Sequence, residues 1–211
     1  MTKDSSHDLL ALLMVLVVLL FLKIPFLNLI LALMAVLIYA SKKGGIKNGL
    51  GFARPKNWMK VILLAVFLST TIFLISYFVI LPIIERFTDT KLDIGIFENI
   101  RENQLMLVSS LGLGWIVGGF VEEIVFRSFI IRSSTKIFSP KTGAILGILI
   151  SASLFGYLHT YQGITGQILT GFVGLMLAII FVLNRQQIWL NVLTHGFTNT
   201  ISMFMLYFEV I

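Results

Sequence analysis

The sequence predicts an all-α fold, a polytopic membrane bundle of about seven transmembrane helices. Hydrophobic residues fill 57% of its 211 positions and charged residues 12%, and the mean hydropathy is +0.97. A soluble domain carries roughly a quarter charged residues because its surface meets water, and here there are too few charges to coat a globule. Apolar runs of about 18 or more residues, long enough to cross hydrocarbon, recur along the chain.

The first expected helix, 9–22, is short and follows a polar start with Lys3 as its only Lys or Arg. Lacking a small-residue cleavage site, it reads as an uncleaved span rather than a signal peptide. Lys23 and Pro25 mark a turn into the second helix, 24–40. These two can also form one bent unit, which would leave six spans. Residues 41–60, SKKGGIKNGLGFARPKNWMK, are basic and glycine-rich and read as a solvated connection. A third helix is expected over 61–84. The segment 85–103, mixed in charge, is expected on the surface with a short helix. The fourth (104–131) and fifth (142–159) helices flank the turn KIFSPKTG, and the sixth (164–183) and seventh (188–208) complete the bundle. No soluble domain, internal repeat or low-complexity segment interrupts this order.

Charge counting orients the bundle. With the N-terminus in the cytoplasm, the inner segments hold Lys3, Lys42, Lys43, Lys47, Arg54, Lys56, Lys60, Arg127, Arg132, Lys136, Lys141 and Arg185. The outer segments keep Lys23, Arg86, Lys91 and Arg101. That bias is what the positive-inside rule selects, so the chain is expected as a multi-pass protein of the cell membrane with a cytoplasmic N-terminus. Trp58, Trp189 and Tyr39 fall at proposed inner boundaries, where amphipathic rings settle. The net charge of +6 resides in short loops beside spans, which points to membrane lipid as the partner and not to nucleic acid. The absence of cysteine removes disulfides, thiolate nucleophiles and thiolate metal sites.

Against that apolar background Glu122, Glu123 and Arg127 stand out, in GLGWIVGGFVEEIVFRSFII. An ionisable group at the bilayer centre costs at least ~2.5–3.5 kcal/mol on insertion scales. Arg127 lies four residues after Glu123, on the same helical face, so the two can pair. Glu122 points about 100° away on a regular helix, free to face something else. The bland alternative is an ion-paired cluster with Arg127 reaching to the interface. Two of the three histidines, His159 and His195, also sit in apolar surroundings, and His195 shares a helical face with Asn199. Glu122 and His159 are equidistant from the turn between the fourth and fifth helices, so an antiparallel hairpin puts them at similar depth. His195 lies about 12 Å along its helix from the turn preceding it. The three groups can therefore converge in a cavity, expected to open to the cytoplasm. The position of His159 near the outer end of its helix resists that expectation unless the turn TYQG is buried. The spacings Gly114/Gly118 and Gly143/Gly147 permit close helix approach.

A glutamate beside a histidine can activate water as a general base, and a second histidine with an asparagine can donate to a tetrahedral oxyanion. Other hydrolytic designs fail on inspection. The sequence has no HExxH and no GxSxG, and all four aspartates lie outside the proposed spans.

The segments EEIVFR (Glu122 to Arg127), FGYLH (Phe155 to His159) and HGFTN (His195 to Asn199) resemble the signatures EExxxR, FxxxH and HxxxN/B. These belong to the CAAX-protease and bacteriocin-processing (CPBP, or Abi) family of intramembrane endopeptidases. The resemblance spans about 104–203. It implies a catalytic helical core over 104–211, preceded by N-terminal transmembrane helices and loops over 1–103. It further implies that Glu122 activates water, His159 shares the proton handling, and His195 with Asn199 stabilises the oxyanion, while Glu123 and Arg127 orient the site. Its substrates would be membrane-associated peptides or proteins, some of them lipidated, and its bacterial members are linked to bacteriocin immunity and peptide maturation. No cofactor is expected. A divalent metal such as zinc held by Glu122, His159 and His195 is the alternative. Two other functions stay open from sequence: a non-catalytic immunity or scaffold protein using the same polar cluster, and a small proton-coupled transporter.

Overall fold

In the computed structural model, which describes residues 3–24 and 26–210, the described residues are helical with no strand. Seven long helices run between two ends of the molecule: α1 (Lys3–Phe21), α2 (Leu27–Lys42), α3 (Trp58–Thr88), α4 (Gln104–Ile137), α5 (Pro140–Tyr157), α6 (Gly163–Leu183) and α7 (Ile188–Tyr207). The apolar stretches of α3, α4 and Thr160–Leu183 are long and apolar enough to cross a membrane, and α1 and α2 are shorter apolar helices. The first two helices are separate, with a break between Phe21 and Leu27; Pro25, expected to mark that turn, lies outside the described residues.

Local chemistry sets several of these boundaries. The side chains of Asn57, Asn103 and Ser139 accept the backbone N–H three residues on, at 3.0, 3.1 and 3.2 Å, which satisfies donors left over at a helix start. Pro140 follows Ser139 at the first position of α5, where a missing N–H costs nothing. Inside α3, the hydrogen bonding widens to i→i+5 over Ser76–Ile80. This widened turn contains Phe78, whose carbonyl the Pro82 ring would strike in a regular helix. A second and longer widened stretch covers Gly114–Ile131 and holds the two glutamates and Arg127.

The helices α1 and α2 cover one side of α4, burying Val15, Leu19, Ala32 and Val36 against Val125, Phe126 and Phe129. On its other side α4 meets α7, while α5 pairs with α6 and α7 also packs on α3. Glycines allow these approaches. A methyl on Gly118 would collide with the Asn199 amide of α7, and one on Gly143 with the backbone at Ser134 of α4. Leu10, Phe67, Phe78 and Ile116 are more than half exposed on the outside of the bundle, the pattern of a protein whose solvent there is lipid rather than water.

The two ends differ. At one, polar bonds tie the connections together. Asp8 accepts from Tyr39 at 2.5 Å and pairs with Lys43 at 3.1 Å, and Arg132 donates to the carbonyls of Gln186 and Asn48. Ser128 donates to the carbonyl of Leu50 at 2.6 Å. Residues 41–60, expected as a solvated connection, are therefore partly folded in: their ends belong to α2 and α3, and between them lie a short helix (Ile46–Gly49) and a buried Leu50. At the other end, residues 89–103 do more than lie on the surface. They form one 3-10 stretch (Gly95–Ile100) and roof the bundle. Asp93 N–H donates to the Gln162 carbonyl at 3.2 Å, and the rings of Phe97 and Tyr161 meet edge to face at 6.3 Å.

Candidate active site

Within the widened stretch of α4 both glutamates reach the same imidazole. Glu123 Oε1 lies 2.8 Å from His195 Nδ1 and Glu122 Oε2 lies 3.8 Å from His195 Nε2. A regular helix would have turned the two carboxylates about 100° apart. Here they bracket one ring from its two nitrogens, so the expected divergence gives way to a shared partner. Residues held at this wider pitch often mark functional sites.

Glu123 is completely enclosed and fully partnered. Its Oε1 accepts from Arg127 Nη1 at 2.9 Å and from His195, and its Oε2 accepts from Asn191 Nδ2 at 3.2 Å. Arg127, also enclosed, gives its other terminal nitrogen to the Gly174 carbonyl at 3.2 Å. Its guanidinium stacks 4.4 Å from the centroid of Phe155. A charge buried this deeply persists only when paired and hydrogen-bonded. Asn191 belongs to this knot and was not singled out from sequence. It stands four residues before His195 on the same face of α7, a spacing legible in NVLTH, and its amide also donates to the Leu177 carbonyl at 2.7 Å.

Glu122 is different. No side-chain hydrogen bond to it occurs among the described residues, its side chain is 16% exposed, and its 3.8 Å approach to His195 is too long for a direct hydrogen bond. It lines a cavity of about 850 Å³ shared with His159, His195 and Asn199. The three groups that the sequence suggested could converge thus border one void.

The hydrogen bonds fix what each imidazole offers. A backbone carbonyl can only accept, so His159 Nδ1, 2.6 Å from the Phe155 carbonyl, carries its proton there. The carboxylate of Glu123 likewise takes the Nδ1 proton of His195. In both rings Nε2 is left as the nitrogen that can gain or lose a proton. The ring of Phe155 separates the two, 4.7 Å from His159 and 5.7 Å from His195. Asn199 Nδ2 donates one proton to the Gly114 carbonyl at 3.0 Å, which fixes the amide and leaves its second N–H. His159 sits past the end of α5, in the turn that leads to α6. Residues 89–103 touch this turn but do not bury it: His159 is half-buried while Thr160 and Tyr161 are exposed, so the turn lies at the surface of that end, as the place of His159 near a helix end suggested.

Among the described residues no group of three or more His, Asp or Glu stands close enough together to hold a metal ion. In this arrangement Glu122, His159 and His195 do not form the zinc set considered from sequence.

In a comparison with known protein families, residues 104–201 match the one described as type II CAAX prenyl endopeptidase Rce1-like. No curated protein and no solved structure matched the chain.

Proposed function

We propose, from the match of residues 104–201 to the Rce1-like family, that the chain is a CAAX-protease-type membrane endopeptidase in which Glu122 hydrolyses a peptide bond by activating water. The observation that carries this reading is the Glu122 carboxylate, which has no side-chain hydrogen bond among the described residues and faces a cavity it shares with two imidazoles whose Nε2 atoms make no hydrogen bond there.

In the proposed reaction Glu122 removes a proton from water. The hydroxide adds to the carbonyl carbon of the scissile bond, and the π electrons move onto the carbonyl oxygen. The second N–H of Asn199 and the Nε2–H of protonated His195 donate to that oxyanion. The oxyanion collapses, the C–N bond breaks, and Glu122 returns its proton to the departing amine. One water is consumed, yielding a carboxylic acid and an amine. His159 Nε2 orients the water and exchanges its proton. Glu123, Arg127 and Asn191 act through His195 by holding its ring and tautomer.

The substrate we assign is a peptide or protein segment at the membrane, with or without a lipid, and the biological setting is bacteriocin immunity or peptide maturation. The match of residues 104–201 supports the first, and the resemblance of the three motifs supports the second.

Comparing Glu122→Gln, His159→Ala and His195→Ala with the parent at matched membrane abundance, by following peptides that accumulate or disappear, tests the proposal. Loss of the same product in all three is the expected result. Full processing in all three would favour a scaffold, and a proton-gradient-dependent flux that dies with Glu122→Gln would favour a transporter.

A further inference from the structure

We infer that the cavity opens on the membrane face away from the cytoplasm, so that the segment to be cut is an apolar peptide delivered from the exoplasmic side. The naming of that segment as substrate rests on the hydrolase reading; the direction of opening does not.

Two independent observations meet here. The first is where the cavity lies. Its lining includes Lys23, Ile96, Phe97, Tyr161 and Gln162, all at the end roofed by residues 89–103. No lining residue comes from 41–60, 132–141 or 184–187, the connections of the other end. Between Glu122 and those connections stand the enclosed Glu123–Arg127–Asn191 knot and a layer of buried Ile131, Phe181, Ile188 and Val192. The floor of the cavity is closed.

The second observation is charge. The closed end carries Lys42, Lys43, Lys47, Arg54, Lys56, Lys60, Arg132, Lys136, Lys141 and Arg185, against Asp8 alone among residues with described side chains. The open end carries Lys23, Arg86, Lys91 and Arg101 against six acids, Glu85, Asp89, Asp93, Glu98, Glu102 and Glu209. Lys91 and Arg101 are already paired there, with Glu85 and Glu209. Short connections rich in Lys and Arg stay in the cytoplasm, so the closed end faces inward and the mouth faces out. The expectation that the site opens to the cytoplasm is replaced: it rested on the distance of His195 from an inner turn, and that path is blocked by packing.

The mouth also selects by chemistry. Leu92, Ile94, Ile96 and Phe97 of the roof line it together with Leu22 and Phe26. An extended apolar segment entering between them would reach Glu122 without exposing its side chains to water, whereas a charged one would leave its charges unpaired.

The chain has no cysteine, so single substitutions report alone. Ile96→Cys at the mouth should react with a membrane-impermeant maleimide in intact cells, and Ala53→Cys in the basic connection only after permeabilisation. The reverse pattern would overturn the inference. A second pair, Phe87→Cys and Ser139→Cys, repeats the test should either of the first fold poorly. Inside the cavity, Val117→Cys should be modified from outside by a small charged thiosulfonate. Modification only in inverted vesicles, or from neither side, would sink the claim of an outward water-accessible cavity. The same labelling in a Glu122→Gln background, with product formation scored separately, distinguishes a wrong orientation from a wrong reaction.

Discussion

Glu122 and Glu123 are neighbours in sequence and belong to two different regions of the molecule. Glu123 sits in a closed polar knot, where each of its two carboxylate oxygens has a donor and the charge of Arg127 compensates its own. Glu122 borders a large void and has no hydrogen bond among the described residues. A satisfied buried carboxylate holds structure and loses freedom to exchange protons with a substrate. An unsatisfied one contributes little to the fold and keeps that freedom. The comparison teaches that the signature EExxxR holds two carboxylates in two environments, a difference that the spacing of Glu123 and Arg127 foreshadows and tertiary contacts complete.

The strongest way to break that contrast is to cut the knot. Arg127→Ala leaves Glu123 buried without its cation and should destabilise the protein by about 3–5 kcal/mol, read from unfolding in detergent followed by tryptophan fluorescence. A change below about 1 kcal/mol would mean that the knot is not structural. Asn191→Ala comes next. It strips a donor from both Glu123 and the Leu177 carbonyl, and a loss of about 1–3 kcal/mol is expected, with turnover reduced because the His195 ring loosens. Restoration of turnover by Asn191→Gln with stability still lowered would sharpen the distinction between positioning and packing. The smallest effect belongs to the roof. Lys91 is largely exposed beside Glu85, so Lys91→Ala should shift stability by less than about 0.5 kcal/mol. A larger loss would show the roof to be part of the knot rather than an independent cover.

Much of this was legible in the sequence. The mean hydropathy and apolar runs dictated helices in lipid, and the seven long helices start and stop within a few residues of the expected ones except at α1 and in the extensions of α3 and α4. The spacing of Glu123 and Arg127 anticipated their contact. Helical periodicity also placed His195 and Asn199 on one face, and the same arithmetic run backwards would have found Asn191. Three features were not legible. The widened winding of α4 over Gly114–Ile131, where its glycines lie against α7, departs from the regular helix that residue spacing assumes. The roof over His159 depends on Asp93 meeting Gln162, 69 residues later in the chain. The direction of the cavity depends on which end the side chains of α4 and α7 plug, and a helical pattern read one segment at a time does not contain it.

Glu122→Gln, with stability and turnover measured on the same purified sample, tests the division of labour most directly. The account predicts an unfolding transition within about 0.5 kcal/mol of the parent and turnover lower by about 10²–10⁴-fold, the range of a lost general base. Turnover within a few-fold of the parent in a folded Glu122→Gln protein would contradict it.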